Sequence, residues 1–162
     1  MTDTRDTPGV IAPPPLILLG TIMLGLLLDW LAPAHVLVTL LNWPARIVIA
    51  IVLIVPAAGL QIAAMRRFYA AGTHPEPWRP STALVTDGIF LWLRNPMYAG
   101  GTLLLVGLSI LLASDWMLAM TIVFVPVIHF GVVKREERYL EAKFGDAYRQ
   151  YRARVPRYGI PG

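Results

Sequence analysis

Four long apolar stretches dominate this chain, running approximately from Leu16 to Ala32, Ala45 to Met65, Met97 to Ala113 and Trp116 to Val133. Each can cross a hydrocarbon core of about 30 Å, which takes about 17 to 25 helical residues. In a chain of 162 residues they leave no room for a soluble core or a Rossmann-type cofactor domain. Charge usage agrees: 15% of the residues are charged, against about 25% in an ordinary soluble domain. The mean hydropathy is +0.60. Pro13-Pro14-Pro15 bars the first helix from extending backwards, while Pro56 and Pro126 predict kinks, because neighbouring helices can satisfy the freed carbonyls. The first span is expected to be retained and not cleaved as a signal peptide, since Arg5 is countered by Asp3 and Asp6 and the apolar run exceeds a usual h-region. The expected class is an all-α, polytopic integral membrane protein with four transmembrane helices, a polar inter-span loop and short C-terminal helices.

The net charge of +4 looks at first like a nucleic-acid signal, so the placement of the charges decides. Of the 14 Lys and Arg residues, one lies in the N-terminal arm (Arg5) and one between spans one and two (Arg46). Four lie in the loop of residues 66–96, none in the turn between spans three and four, and eight after span four. By the positive-inside rule the loop and the tail from Lys134 face the cytoplasm, with both termini inside. Trp30, Trp43 and Trp116 then fall at outer boundaries and Trp78 and Trp92 at the inner one, as amphipathic rings do. Topology and anionic lipid explain the basic excess, and no nucleic-acid partner is expected. The absence of cysteine excludes disulfides, thiolate zinc sites and cysteine nucleophiles. His35, His74 and His129 are too dispersed for a metal site, and no metal is expected. A transporter would place ionisable groups near the bilayer midplane, where these spans have almost none.

Counting along the third and fourth spans brings two distant polar clusters to one level. About 17 residues lead outwards from Met97, Ser114-Asp115 turn the chain, and about 18 lead back. Arg94-Asn95-Pro96 and Lys134-Arg135-Glu136-Glu137 should therefore meet. Asn95-Pro96 predicts an N-cap followed by a first helical residue, and the free N–H groups there favour an anion, which Arg94 can clamp. Adjacent glutamates differ by about 100° around a helix, so at most one of Glu136 and Glu137 is expected in a given pocket. The competing reading is a solvated face, with Glu137 paired to Arg138 or Glu141 to nearby bases. Leu140, Phe144, Tyr148, Tyr151 and Val155 form an apolar stripe at helical spacing, interrupted by Gly145, with Asp146 able to cap a second short helix. His129 is expected to be hydrogen-bonded between helices, and Asp29 to reach water at the outer end of span one. The loop of residues 66–96 should be irregular apart from one short helical turn, and its length marks it as functional.

Three blocks of sequence resemble the isoprenylcysteine carboxyl methyltransferase and phospholipid methyltransferase superfamily. They are Ala71-Gly72-Thr73 with Arg79-Pro80, Leu84 to Phe90, and Arg94 to Gly100; Glu136 to Leu140, Phe144 to Tyr148, Tyr151 and Val155-Pro156-Arg157 continue the match in order. The resemblance covers roughly Ala71 to Arg157. It implies S-adenosylmethionine as methyl donor, with S-adenosylhomocysteine as product, bound by Arg94, Asn95, Pro96, Tyr98 and Gly101 on one side. Glu136, Glu137 and Tyr148 supply the other side, with Arg94, Glu136, Glu137 and Arg152 as the residues closest to the chemistry. The prenylcysteine enzymes typically carry histidine where this chain has Asn95, which cannot titrate or relay protons near neutral pH. The implied division is an N-terminal arm (1–15), transmembrane helices one and two (16–65) and a methyltransferase core (66–162). The implied setting is a bacterial inner membrane, and the implied partners are membrane lipids and a lipophilic substrate entering from the bilayer. Carboxyl O-methylation is the first reading, phospholipid N-methylation the alternative, and a non-catalytic scaffold retaining the fold the rival from another class. A carboxylate acceptor needs no base, whereas an amine must first lose a proton, to Glu136 or Glu137. Arg94, Arg152 or Arg157 is positioned by sequence to hold an anionic head group.

Overall fold

The computed structural model describes residues 6–159, so Arg5 lies outside the described residues. Every regular element in it is helical. Helix α1 runs Pro14–Leu31, α2 Val36–Leu40, α3 Trp43–Ala70, α4 Pro96–Leu112, α5 Asp115–Ile128, α6 Lys134–Phe144 and α7 Asp146–Arg154. A 3-10 turn occupies Gly88–Leu91, the one short turn expected in the loop, and a π-helical segment spans His129–Val133. Pro14–Leu31, Trp43–Ala70 and the continuous rod Asp115–Phe144 are long and apolar enough to cross a membrane, and α4 is a shorter apolar helix of 17 residues. The chain is a polytopic integral membrane protein, as its apolar blocks require.

Local chemistry sets most of the ends. Helix α1 opens on Pro14 at its first position, where a missing N–H costs nothing. Asn42 caps α3 by accepting from Ala45 N at 3.0 Å, and α3 continues through Pro56 to Ala70, beyond the apolar limit at Met65. Ala113, in the left-handed region at φ 52°, turns the chain between α4 and α5. Ser114 then caps α5, its Oγ accepting from Met117 N at 3.1 Å and donating to Asp29. Asp29 is thus not simply hydrated: it braces this turn, with Trp116 N donating to its second oxygen at 3.3 Å. Asp115 accepts from Val36 N and Leu37 N at 3.0 and 2.9 Å, which organises the short α2 that the sequence did not announce. Ser114→Ala removes a cap and leaves Asp29 short of a donor, and is expected to lower unfolding stability in detergent by about 1 kcal/mol.

The helices pack in the order α3, α4, α5, α1. Small residues set the closest approaches. Ala50, Ala57 and Ala64, seven residues apart on α3, are buried, and so are Gly100 and Gly107, seven apart on α4. A Cβ at Gly100 would sit 3.0 Å from Ala57 O, so the two backbones meet there, and one at Gly107 would sit 2.6 Å from Cγ1 of Ile54, whose side chain fills that gap. On the other side of the bundle, Gly25 of α1 lies directly against the backbone of Met117 on α5. The outward faces carry exposed leucine, valine and isoleucine, together with Trp30 and Trp43, as suits a lipid environment.

The π segment holds one residue more per turn than an α-helix. It sits where the apolar rod passes into the charged α6, and Gly131 O there accepts from Ile11 N at 3.2 Å. The N-terminal arm is thereby laid across the rod. Arg135 donates to Gly9 O at 2.7 Å, and Lys143 Nζ reaches both oxygens of Asp6 at 2.7 and 2.8 Å.

Candidate active site

The loop 71–95, the start of α4 and the helices α6 and α7 close around one cavity of about 540 Å³. That volume is in the range of small-molecule sites, about 300–1,000 Å³. Its wall changes character along its length. One end carries Arg94, Asn95, Glu136, Glu137 and Tyr148, and the other reaches Leu18, Leu104, Phe124 and Ile128 among the apolar helices.

The charged end is built on Glu137, which is 7% exposed. Arg157 grips its carboxylate bidentately, Nε to Oε1 at 2.9 Å and Nη2 to Oε2 at 2.7 Å. Arg94 Nη1 stands 3.0 Å from Oε1, and the same nitrogen donates to Tyr148 OH at 3.3 Å. Arg157 arrives because the C-terminal segment returns along the start of α4: Arg94 N donates to Pro156 O at 3.0 Å and Asn95 N to Arg157 O at 3.2 Å. Glu136 faces the opposite wall, where Tyr98 OH donates to its Oε1 at 2.7 Å. Burial pushes Tyr148 and Tyr158 up to about 12 and raises Tyr151, whose hydroxyl donates to Phe90 O at 2.8 Å.

Most of the residues singled out by sequence therefore meet. Arg94, Asn95, Pro96, Tyr98, Gly101, Glu136, Glu137 and Tyr148 all line the cavity. Both glutamates do so, against the expectation of one, because the cavity wraps around α6 and offers each a different wall. Glu137 pairs with neither solvent nor Arg138, whose Nε instead donates to Lys134 O at 3.3 Å. Arg152 stays outside: its Nη1 holds Glu141 Oε2 at 2.6 Å on the far face of α6 and α7, so it does not line the cavity. Asn95 precedes α4 as expected, but its side chain caps nothing and instead leans on Arg157 O at 3.4 Å. Asp146 does not cap α7 either, since Gly145 takes that position and Asp146 pairs with Arg149 at 2.6 Å. His129 Nδ1 meets Tyr158 OH at 2.9 Å, bonding the rod to the returning tail. Sequence reasoning marked the loop as functional without assigning to the site the residues 74–78 that line the cavity, or Tyr139, whose hydroxyl accepts from Ser81 N at 3.0 Å. It also offered Arg94, Arg152 or Arg157 as a head-group clamp, and the structure ties Arg94 and Arg157 to Glu137 and Arg152 to Glu141.

Comparison with known proteins places this geometry. The family model described as phospholipid methyltransferase matches residues 45–147. A Protein-S-isoprenylcysteine O-methyltransferase of Schizosaccharomyces pombe is 41% identical over 81 residues, covering 48% of this chain and 33% of the yeast protein. An uncharacterised Haemophilus influenzae protein is 39% identical over 62 residues, covering 38% of this chain and 98% of its own length. The chain thus spans only about a third of the yeast relative it matches. No solved structure matches significantly. With the match running from α3 through the cavity-lining start of α4 and both glutamates into α7, the chain belongs to the phospholipid methyltransferase family of membrane methyltransferases.

Proposed function

We propose that the protein transfers a methyl group from S-adenosylmethionine to a lipophilic acceptor, at a site on the cytoplasmic side of a bacterial inner membrane. The observation that carries this reading is one cavity joining the buried Arg94–Glu137 pair, braced by Arg157, to an apolar wall of Leu18, Leu104, Phe124 and Ile128. Such a cavity suits a zwitterionic cofactor at one end and a lipid chain at the other. The donor set fits the cofactor: Arg94 Nε is buried without a hydrogen-bond partner among the described residues and can donate to a carboxylate, while Tyr148 and Tyr151 offer aromatic faces to a sulfonium. When bound, S-adenosylmethionine supplies an electrophilic methyl on sulfur. Arg94, Asn95, Pro96, Tyr98, Gly101, Glu136, Glu137 and Tyr148 would hold it.

The chain's own contribution is position. Arg157 and Arg94 fix Glu137, the returning tail fixes Arg94 and Asn95, and the tyrosines exclude water. Orientation of this kind is worth several kcal/mol of barrier, and up to about 7–11 in well-aligned cases. A carboxylate acceptor, as in the isoprenylcysteine type, attacks without losing a proton. The second reading, a lipid amine, is favoured by Glu136, a cavity-lining carboxylate whose hydrogen-bond partner is the neutral Tyr98 hydroxyl and not a cation.

Binding of S-adenosylhomocysteine to the full chain in detergent tests the reading, and a well-folded wild type that fails to bind overturns it. Arg94→Ala is expected to weaken binding by at least about tenfold. If Glu136 removes an amine proton, Glu136→Gln abolishes most of the activity on an amine acceptor in a methyl-transfer assay.

A further inference from the structure

We infer that Glu76 is a binding residue of this cavity, accepting hydrogen bonds from the donor groups of the bound cofactor. This rests on the proposed function and adds a residue that neither the motifs nor the family resemblance supplied. Glu76 lines the cavity and its Oε2 is buried with no hydrogen-bond partner among the described residues. The His74 ring holds Nδ1 at 3.9 Å, too far for a hydrogen bond, and the Glu76 side chain as a whole is 33% exposed, so it is this one oxygen that is enclosed. The other carboxylates of the wall are engaged: both oxygens of Glu137 by arginines and Glu136 by Tyr98. The same cavity contains the complementary orphan, the buried Nε of Arg94. The cavity thus offers an unused donor and an unused acceptor, the two kinds of partner that a zwitterion satisfies. An unpartnered buried carboxylate oxygen costs folding free energy, so a ligand that supplies the missing donor gains affinity at that point.

The loop is built to hold this acid in place. Thr82 N donates to Thr73 Oγ1 at 2.9 Å and Thr82 Oγ1 to Gly72 O at 3.0 Å, pinching the segment closed at its base. Ser81 N on Tyr139 OH fastens it to α6. Pro75 and Pro77 flank Glu76 and restrict its backbone, and Arg79 N donates to Glu76 O at 3.1 Å. A side chain carried on such a loop loses little freedom when a ligand arrives.

The test is calorimetric titration of the full chain in detergent with S-adenosylhomocysteine and, separately, with 5′-methylthioadenosine, which keeps the ribose hydroxyls and lacks the amino-acid end. Glu76→Gln and Glu76→Ala are expected to weaken S-adenosylhomocysteine binding by about tenfold to a hundredfold. Weakening of both ligands assigns the partner to the nucleoside, a ribose hydroxyl or the adenine amino group, and weakening of S-adenosylhomocysteine alone assigns it as the ammonium. The unliganded variants are expected to unfold at the wild-type midpoint or above it, since the orphan oxygen is relieved. Unchanged affinity in both variants overturns the inference while leaving the proposed function standing, and so does a lost affinity that tracks a lowered midpoint. A wild type that binds neither ligand overturns both.

Discussion

Glu137→Ala is expected to be the most damaging single change in the molecule, costing about 3–5 kcal/mol of stability and abolishing cofactor binding. The alanine leaves Arg94, whose side chain is 8% exposed, with a buried charge and no carboxylate. Arg157 is 32% exposed and can turn to water, so the loss falls chiefly on Arg94. Against a total stability of about 5–15 kcal/mol for a typical domain, this is a large fraction of what holds the protein folded. Denaturant or thermal unfolding in detergent, with and without S-adenosylhomocysteine, reads the effect. Replacing Arg94 by methionine in the Glu137→Ala background should restore much of the stability and none of the binding, because a buried pair exchanged whole for apolar groups is often near neutral. A Glu137→Ala protein within about 1 kcal/mol of wild type would show that the cluster is solvated and not a buried frame.

Gly25→Ala is the second large effect, and it lies far from the chemistry. A Cβ there would stand 2.5 Å from Met117 Cα, 2.7 Å from its Cβ and 2.9 Å from its N. Backbone atoms cannot rotate aside, and Met117 is itself fully buried, so α1 and α5 must separate. The expected cost is about 1–3 kcal/mol, read as a lowered unfolding midpoint. Gly20 on the same helix has nothing within 4 Å of its would-be Cβ. Gly20→Ala is therefore expected to be neutral or to stabilise by up to about 1 kcal/mol through helix propensity. Equal effects at the two positions would dismiss the close approach of α1 to α5.

The large features were legible because they depend on one-dimensional quantities. Apolar length set the spans, and counting residues at a fixed rise brought Arg94 level with Glu137 without any knowledge of packing. What escaped depends on partners distant in sequence. Helix α2 exists because Asp115, 78 residues away, accepts from its first N–H groups. Asn95 loses its capping role because the tail arrives and offers Arg157 O instead. Arg152 and Arg157 look equivalent as basic residues near one end of the chain. They diverge because Gly145, at φ 54°, turns α7 so that Arg152 faces Glu141 while the extended residues beyond α7 carry Arg157 back to Glu137. Glu76 offered only a faint signal, an acid set between two prolines in a loop otherwise rich in bases.

The π segment at His129–Val133 fixes the phase of everything that follows it. Each residue of helix advances the side-chain direction by about 100°, so removing one residue there would draw α6 forward by one place in register. Glu137 would then confront Tyr98, and Arg138 would be presented to Arg94 and Arg157, putting three guanidiniums where one carboxylate now neutralises two. The reading frame of this helix is thus an electrostatic lock: any one-residue slip across the widened turn swaps attraction for repulsion at the centre of the site.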